Sequence, residues 1–331
     1  MKNYWAFGFH QCRWGYQNWS VTEDVVSNYE KFDIPLEVIW NDLDYMKEYR
    51  DFDNDPVRFN YSVGTAFLQR LHHGGRRYVP IIDSAIYAPN PTNSSDAYRV
   101  FDAGNDTDSF LSNPDGSLYV GAVWPGYTVF PDWLKNSTHT WWTNELVAWH
   151  QKLPVDGAWI DMSEVSSYCV GSCGSHNLSL NPVHPPFSLP GEPGNLIYDY
   201  PEGFHITNAT EAASVSAESS SASLTTTTTT LTSSSSTTSY LKTTPTPGQR
   251  NINHPPYVIN HIQGDLAVHA VSPNATHHNG IVEYDVHNLF GHQILQATYA
   301  ALAAAIPGKR PFIIGRSTFP GSGTVAGHWG G

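Results

Sequence analysis

The chain has 331 residues, long enough for one large barrel domain or two ordinary domains, and its 40% apolar content supports a sizeable core. Only 14% of residues are charged and the formal net charge is −13, with no basic stripe, so nucleic acid is excluded as an expected partner. No run of about 18 apolar residues occurs, so no membrane-spanning helix is expected, and Met1-Lys2-Asn3-Tyr4-Trp5 lacks the apolar stretch of a signal peptide.

Apolar runs of strand length recur along the chain. The first covers residues 4–10. The next, 36–40, ends in Asn41-Asp42-Leu43-Asp44, and 78–82 ends in Asp83. Residues 118–123 run into Trp124-Pro125-Gly126, 158–160 into Asp161, and 311–314 into Gly315-Arg316. Helical stretches are predicted between them at 21–31, 57–72, 144–152 and, longest, 283–305. Alternation of strand and helix predicts a parallel sheet. Polar groups gathered at the carboxyl ends of the strands predict the functional face of a (β/α)8 barrel.

Two stretches do not fit a minimal barrel. Residues 87–143, rich in Asn, Asp, Gly, Pro and Trp, read as an inserted, loop-rich subdomain. Residues 211–250 are dominated by Ser, Thr and Pro and are too poor in apolar groups to fold, so a disordered, O-glycosylated insertion is expected there. The expected organisation is therefore the first part of a barrel over 1–210, the insertion at 211–250, and the barrel again from 251 to 331.

Residues 157–164, Gly-Ala-Trp-Ile-Asp-Met-Ser-Glu, carry the most chemistry. Asp161 stands where an apolar run stops, and Glu164 follows three residues later. Barrel enzymes present a nucleophile to a sugar in this way. The same Asp-x-x-Glu spacing is a helix capping box, and the two readings are compatible because barrel strands feed into helices. Eleven Trp and eighteen Tyr offer flat faces to sugar rings, although most such rings simply fill core.

Asn-x-Ser/Thr sequons at Asn18, Asn60, Asn93, Asn105, Asn136, Asn177, Asn208 and Asn274 exceed what composition alone gives and point to a secreted glycoprotein. That context conflicts with the missing signal, which is resolved if Met1 is not the natural start. Cys169 and Cys173, separated by Val-Gly-Ser, suit a short disulfide, whereas Cys12 is expected to be buried. No metal and no cofactor are expected. Gly321, Gly323 and Gly327 miss the dinucleotide spacing, and His287 and His292 miss the i, i+4 metal spacing.

Five blocks then resemble glycoside hydrolase family 31, and within it the secreted fungal α-glucosidases. They are Phe7-Gly-Phe-His-Gln-Cys-Arg-Trp-Gly-Tyr16, Trp40-Asn-Asp-Leu-Asp-Tyr-Met46, Val123-Trp-Pro-Gly126, Trp159-Ile-Asp-Met-Ser-Glu164, and Arg310 to Phe319 continuing through Ala326-Gly-His-Trp329. They follow the family's order over nearly the whole chain. The resemblance implies a retaining exo-α-glucosidase on a partial TIM barrel, about strands 1–5 and the start of 6. Its substrates would be maltose, malto-oligosaccharides and starch ends. Asp161 matches the nucleophile and Glu164 a second acid beside it. Asp42 matches a carboxylate that grips sugar hydroxyls. Ile81, Trp124, Trp159 and Met162 match the walls of that subsite, and Arg316, His328 and Trp329 match further substrate contacts. Arg316 is expected to favour an ionised Asp161. In the family the general acid/base follows the His-Trp-x-Gly block at once, a position that would come just after Gly331. The chain is accordingly expected to be a fragment, inactive alone, of a secreted, cell-wall or vacuolar enzyme whose N- and C-terminal parts are its partners. The alternatives are an inactive carbohydrate-binding fragment and a relative with another sugar, such as an α-xylosidase.

Overall fold

A computed structural model describes residues 3–167, 172 and 270–330. Within these, six parallel strands form one sheet in the order β1 (His10–Gln11), β2 (Val38–Asn41), β5 (Arg77–Asp83), β9 (Ala158–Asp161), β10 (Ile313–Gly315) and β11 (Gly327–His328). Every strand of the sheet runs the same way, as in a partial TIM barrel. β2 is buried along its whole length, which is why a parallel strand reads as a continuous apolar run.

Helices cross between the strands. α1 (Trp19–Lys31) starts where Asn18 Oδ1 accepts from the Val21 N–H at 2.9 Å. α2 (Tyr61–His73) is capped by Asn60, which accepts from the Ser62 N–H. The two helices come close because Gly64 lies against the Trp19 indole; a Cβ there would sit 2.6 Å from the ring. α4 (Asn136–His150) and α6 (Phe290–Ala305) share a face on which the Trp142 Nε1–H donates to Thr298 Oγ1 at 3.0 Å. Ile294, Leu295, Ala301 and Leu302 are buried on the same helix.

Several elements differ from expectation. Residues 4–10 form a 3-10 turn, Tyr4–Phe7, before the two-residue β1, and Tyr4 and Phe7 face outward, so no apolar face holds them as a strand. The run 118–123 does not join the parallel sheet. It becomes β7 (Gly121–Val123), antiparallel to β8 (Gly126–Val129), which pairs with β6 (Ile86–Tyr87). Gly126, at φ 111°, supplies the left-handed residue that turns this hairpin. α4 starts at Asn136, eight residues before the expected helix, with no side-chain cap to mark it. The range 87–143 also holds α3 (Arg99–Asp106). The long helix expected at 283–305 is divided into α5 (Glu283–Val286), a 3-10 turn and α6.

Beneath the hairpin, β3 (Met46–Lys47) and β4 (Arg50–Asn54) form a short antiparallel pair. Its buried polar residues Arg50, Asp51 and Asn54 each have a hydrogen-bond or ion-pair partner. Arg50 meets Asp96 at 2.6 Å, the Asp83 N–H donates to Asp51, and Asn54 accepts from the Trp149 indole. The predicted insertion at 211–250, the Cys169–Cys173 pair, and the sequons at Asn177 and Asn208 lie outside the described residues.

Candidate active site

Sheet register builds the site. Side chains alternate along a strand, so residues two apart share a face. Ile81 pairs with Trp159 and Asp83 with Asp161 across β5 and β9; Trp159 pairs with Ile314, and Ile314 with Gly327. One step further along, this face carries Asp42 after Trp40, Asp161 after Trp159, Arg316 after Ile314, and Trp329 after Gly327. The opposite face meets helices: Asn41 Nδ2 donates to Thr22 Oγ1 of α1 at 3.2 Å.

Three indoles make a floor within the sheet. Trp159 lies 5.6 Å from Trp40 and 4.8 Å from Trp329 between ring centroids, and Trp40 donates to His10 Nδ1 at 3.1 Å. Above this floor the strands open on polar groups. Asp161 Oδ1 accepts from Arg316 Nε at 2.5 Å, and Arg316 Nη1 reaches Glu164 Oε1 at 2.9 Å. Ser317 donates to Glu164 Oε2 at 2.8 Å, and Arg316 Nη2 lies 3.6 Å from Met162 Sδ. One guanidinium thus ties together both acids and Met162. No helix starts here: residues 162–165 are a turn, with Met162 left-handed at φ 57°, so the Asp-x-x-Glu spacing serves a fork around Arg316 and not a cap.

Burial dominates the electrostatics. It raises the Asp161 carboxyl above its ordinary value, although the Arg316 hydrogen bond and charge oppose it. Arg316 pulls in the expected direction, toward the ionised form, but desolvation is the larger effect. Burial also lifts Asp42 to about 7, against the Leu43 N–H that donates to Oδ1 at 2.7 Å and aided by the charge of Asp161. Asp44, on which the Gly15 N–H is fixed at 2.9 Å, is pushed to about 8 by burial.

The remaining predicted residues are less central. Ile81 is buried beside Trp159 in the sheet. Trp124 stands at the β7–β8 turn and packs against Trp14 at 5.4 Å, so the hairpin meets the loop after β1. His328 is exposed on the edge strand, with its Nδ1 3.4 Å from Thr318 Oγ1, and is not drawn into the Arg316 fork. Sequence reading missed Asp51, Ser317 and Trp14 as neighbours of the site. Asp83 was visible as the end of an apolar run, the same signal that marked Asp161. The sequons Asn18, Asn60 and Asn93 turn out to cap α1, α2 and a 3-10 turn, so capping is an independent reason for Asn there. Asn60, Asn105 and Asn136 are exposed; Asn18, Asn93 and Asn274 are half-buried. Cys12 is half-buried, and burial raises its thiol well above the ordinary range. His287 Nδ1 is hydrogen-bonded to the accepting Glu283 carboxylate, and His292 Nδ1 to Ser322 Oγ, each at 2.8 Å.

A cavity of about 460 Å³ opens at the other end of the strands, lined by Trp5, His72, Arg77, His150 and Asp156 among others. Asp156 there accepts from the Tyr78 N–H and is hydrogen-bonded to His72 at 2.6 Å, both through Oδ2, while Oδ1 lies 3.7 Å from Arg77 Nε, so the carboxylate is engaged in structure.

The model for the "Glycosyl hydrolases family 31 TIM-barrel domain" matches residues 1–331. An α-glucosidase of Aspergillus oryzae is 65% identical over all of this chain and 33% of its own length, and an α-glucosidase of Aspergillus niger is 67% identical over all of this chain and 34% of its own length. Glucoamylase 1 of Candida albicans is 57% identical, with 35% of its length covered. The chain thus spans about a third of the curated relatives it matches. Among solved structures, glucosidase II α subunit (Glc1Man2-bound) superposes with a TM-score of 0.63 at 22% identity, over 99% of this chain and 25% of that one. A family 31 α-glucosidase from Bacteroides thetaiotaomicron gives 0.56 at 22% identity, over 99% and 36%. With strand register, an indole floor and an acid-lined carboxyl edge in agreement with a match along its whole length, the chain belongs to glycosyl hydrolase family 31 and forms part of that family's TIM-barrel domain.

Proposed function

We propose that this chain supplies the nucleophile and the sugar subsite of a retaining exo-α-glucosidase acting on maltose, malto-oligosaccharides and starch ends. The observation that carries the reading is Asp161 at the carboxyl end of a central strand, gripped by Arg316 over a floor of indoles. A retaining glycosidase uses one ionised carboxylate to attack the anomeric carbon and a second carboxyl, about 5–5.5 Å away, to protonate the leaving oxygen. Asp161 has the first role. It is half-buried with one oxygen held at 2.5 Å, so its other oxygen keeps a defined direction for attack. Asp42, lifted toward 7, is suited to exchange hydrogen bonds with sugar hydroxyls. Trp159 and Trp329 give the ring an apolar face.

Glu164 is not assigned as the leaving-group acid, because both of its oxygens already accept hydrogen bonds, from Arg316 and Ser317. It acts instead by fixing Arg316. The family resemblance places the acid/base just past the His-Trp-x-Gly block. Secretion and N-glycosylation of the mature enzyme belong to the same proposal and rest on the sequons.

The test is covalent labelling. At the full length of the relatives, the protein incubated with a cyclitol epoxide should carry the adduct on the peptide containing Asp161, and Asp161→Ala should lower kcat on order of 10³-fold or more. A label on Asp42 or Glu164 instead, or turnover by the alanine variant, refutes the assignment.

A further inference from the structure

The indole floor rests on a histidine from the first strand. His10 on β1 is the register partner of Val38 on β2, two residues before Trp40. Residues two apart share a face of a strand, so His10 and Trp40 lie on the same side of the sheet, the side that carries Asp42 just past the end of β2. The Trp40 Nε1–H donates to His10 Nδ1 at 3.1 Å, and the two rings meet edge to face, 5.6 Å apart at 72°. Trp40 is buried. Its ring packs in turn on Trp159 at 5.6 Å and on Trp329 at 6.4 Å.

The chemistry of the two rings fixes their roles. An indole N–H donates and cannot accept, so His10 Nδ1 is the acceptor. The imidazole is then neutral with its proton on Nε2, since an imidazolium carries hydrogens on both nitrogens and could not take this bond. Burial favours the neutral form by lowering the His10 pKa, against the Ala6 and Trp5 backbone and the charge of Glu37, which pull the other way. Neighbouring rings hold the imidazole in place. Trp5, from the 3-10 turn before β1, stacks on it at 6.4 Å and Phe312 lies at 5.8 Å, with Trp5 and Phe312 themselves 4.4 Å apart. Phe312 leads into β10, the strand that ends beside Arg316. His10 therefore offers Trp40 an acceptor of defined direction.

We propose that His10 is a positioning residue for the sugar subsite: its Nδ1 fixes the Trp40 indole, and through Trp40 it sets the floor on which Trp159 and Trp329 pack and the place of Asp42. Without that acceptor a buried N–H is left unsatisfied, and Trp40 turns to find another partner, shifting the rings packed on it. Asp161 is held separately, through Arg316, so the loss falls on sugar binding more than on the chemical step. The inference deepens the glucosidase reading and rests on it.

The experiment measures kcat and KM on nitrophenyl α-glucoside with the enzyme at the relatives' full length. Turnover by the unmodified enzyme tests the function itself, and its absence sinks both readings; with turnover in place, the variants test only His10. His10→Ala removes the acceptor and should raise KM about fivefold or more, with kcat changed less than about threefold. His10→Asn offers its amide oxygen near the place of Nδ1 and should bring KM back to within about twofold of the unmodified enzyme. Trp40→Phe removes the donor and should raise KM as well. His10→Ala added to Trp40→Phe should cost no more than about twofold further, because the two partners of one bond are not additive. An unmoved KM in His10→Ala, a loss confined to kcat, an asparagine variant no better than alanine, or additive losses in the double variant each overturns the proposal; the last two are what packing alone would give. His10→Phe keeps a ring between Trp5 and Phe312 and still lacks the acceptor, so it takes the place of the alanine variant, with the same expectation, if that one does not fold. Should neither fold, Trp40→Phe decides by itself: a raised KM supports the proposal and an unmoved KM overturns it.

Discussion

Raising the pH should loosen the segment that returns to the barrel at residue 270, and one histidine sets the size of the effect. His277 is 4% exposed, with Nδ1 2.8 Å from Asp132 and Nε2 2.6 Å from Glu283. The Glu283 carboxylate also meets His287 at 2.8 Å, and Asp132 takes the His278 N–H at 2.7 Å. Burial pulls the imidazole down, but the two hydrogen bonds and the two charges together lift it to about 9. A histidine raised in this way stabilises the fold fully below its unfolded value of about 6.5 and loses that contribution as pH climbs through 9. The interval corresponds to about 3 kcal/mol, an order-of-magnitude figure for a buried charge between two acids. Hydrogen exchange of the peptide spanning 270–287, corrected for the intrinsic rate, is the direct assay, because local opening is what the network resists. Protection there should fall on the order of 100-fold between pH 6.5 and 9.5. In His277→Gln it should be lower throughout and nearly flat. Equal pH slopes in the two proteins would refute the argument.

Arg316→Met should raise the acid limb of kcat/KM, since the guanidinium opposes the upward push of burial on Asp161 and its loss leaves that push unchecked; an unmoved limb would mean that Asp161 is not the titrating group. Trp142→Ala should destabilise the protein by about 3–5 kcal/mol, because a fully buried indole is removed and Thr298 loses its donor. Thermal or chemical denaturation checks this, and a cost under about 1 kcal/mol would mean that the α4–α6 face collapses around the gap.

The barrel strands were legible because a parallel strand covered on both faces is apolar until it ends, and the first polar residue then marks the end. Asp83, Asp161 and Arg316 were found in this way. The same rule failed at 118–123. Its apolar run is as long as a barrel strand's, but Pro125-Gly126 turns it back on itself, and that dipeptide was the signal to weigh. The stretch Arg50-Asp-Phe-Asp-Asn54 carries no apolar run to mark it as a strand, because most of its side chains are polar. It is buried nevertheless, since Asp96, the Asp83 N–H and the Trp149 indole take up those groups, and these partners lie far off in sequence. The Arg316 fork had the same difficulty, with 155 residues separating its guanidinium from Asp161. Sequence showed each residue as notable; only the register between β9 and β10 brings them together.

The two ends of the stretch between β9 and α5 meet at a fixed point. Ser166 bridges Ala270 in antiparallel fashion, and the Val271 N–H donates to the Val165 carbonyl at 3.0 Å. The chain therefore leaves the sheet and comes back through one doorway, four residues past Asp161. Closure entropy grows only with the logarithm of length, about 0.6 kcal/mol for each doubling of a flexible connection. Selection can accordingly lengthen, shorten or rewrite what lies between Ser167 and Ala270 while Asp161 stays where it is, and divergence within the family should concentrate there.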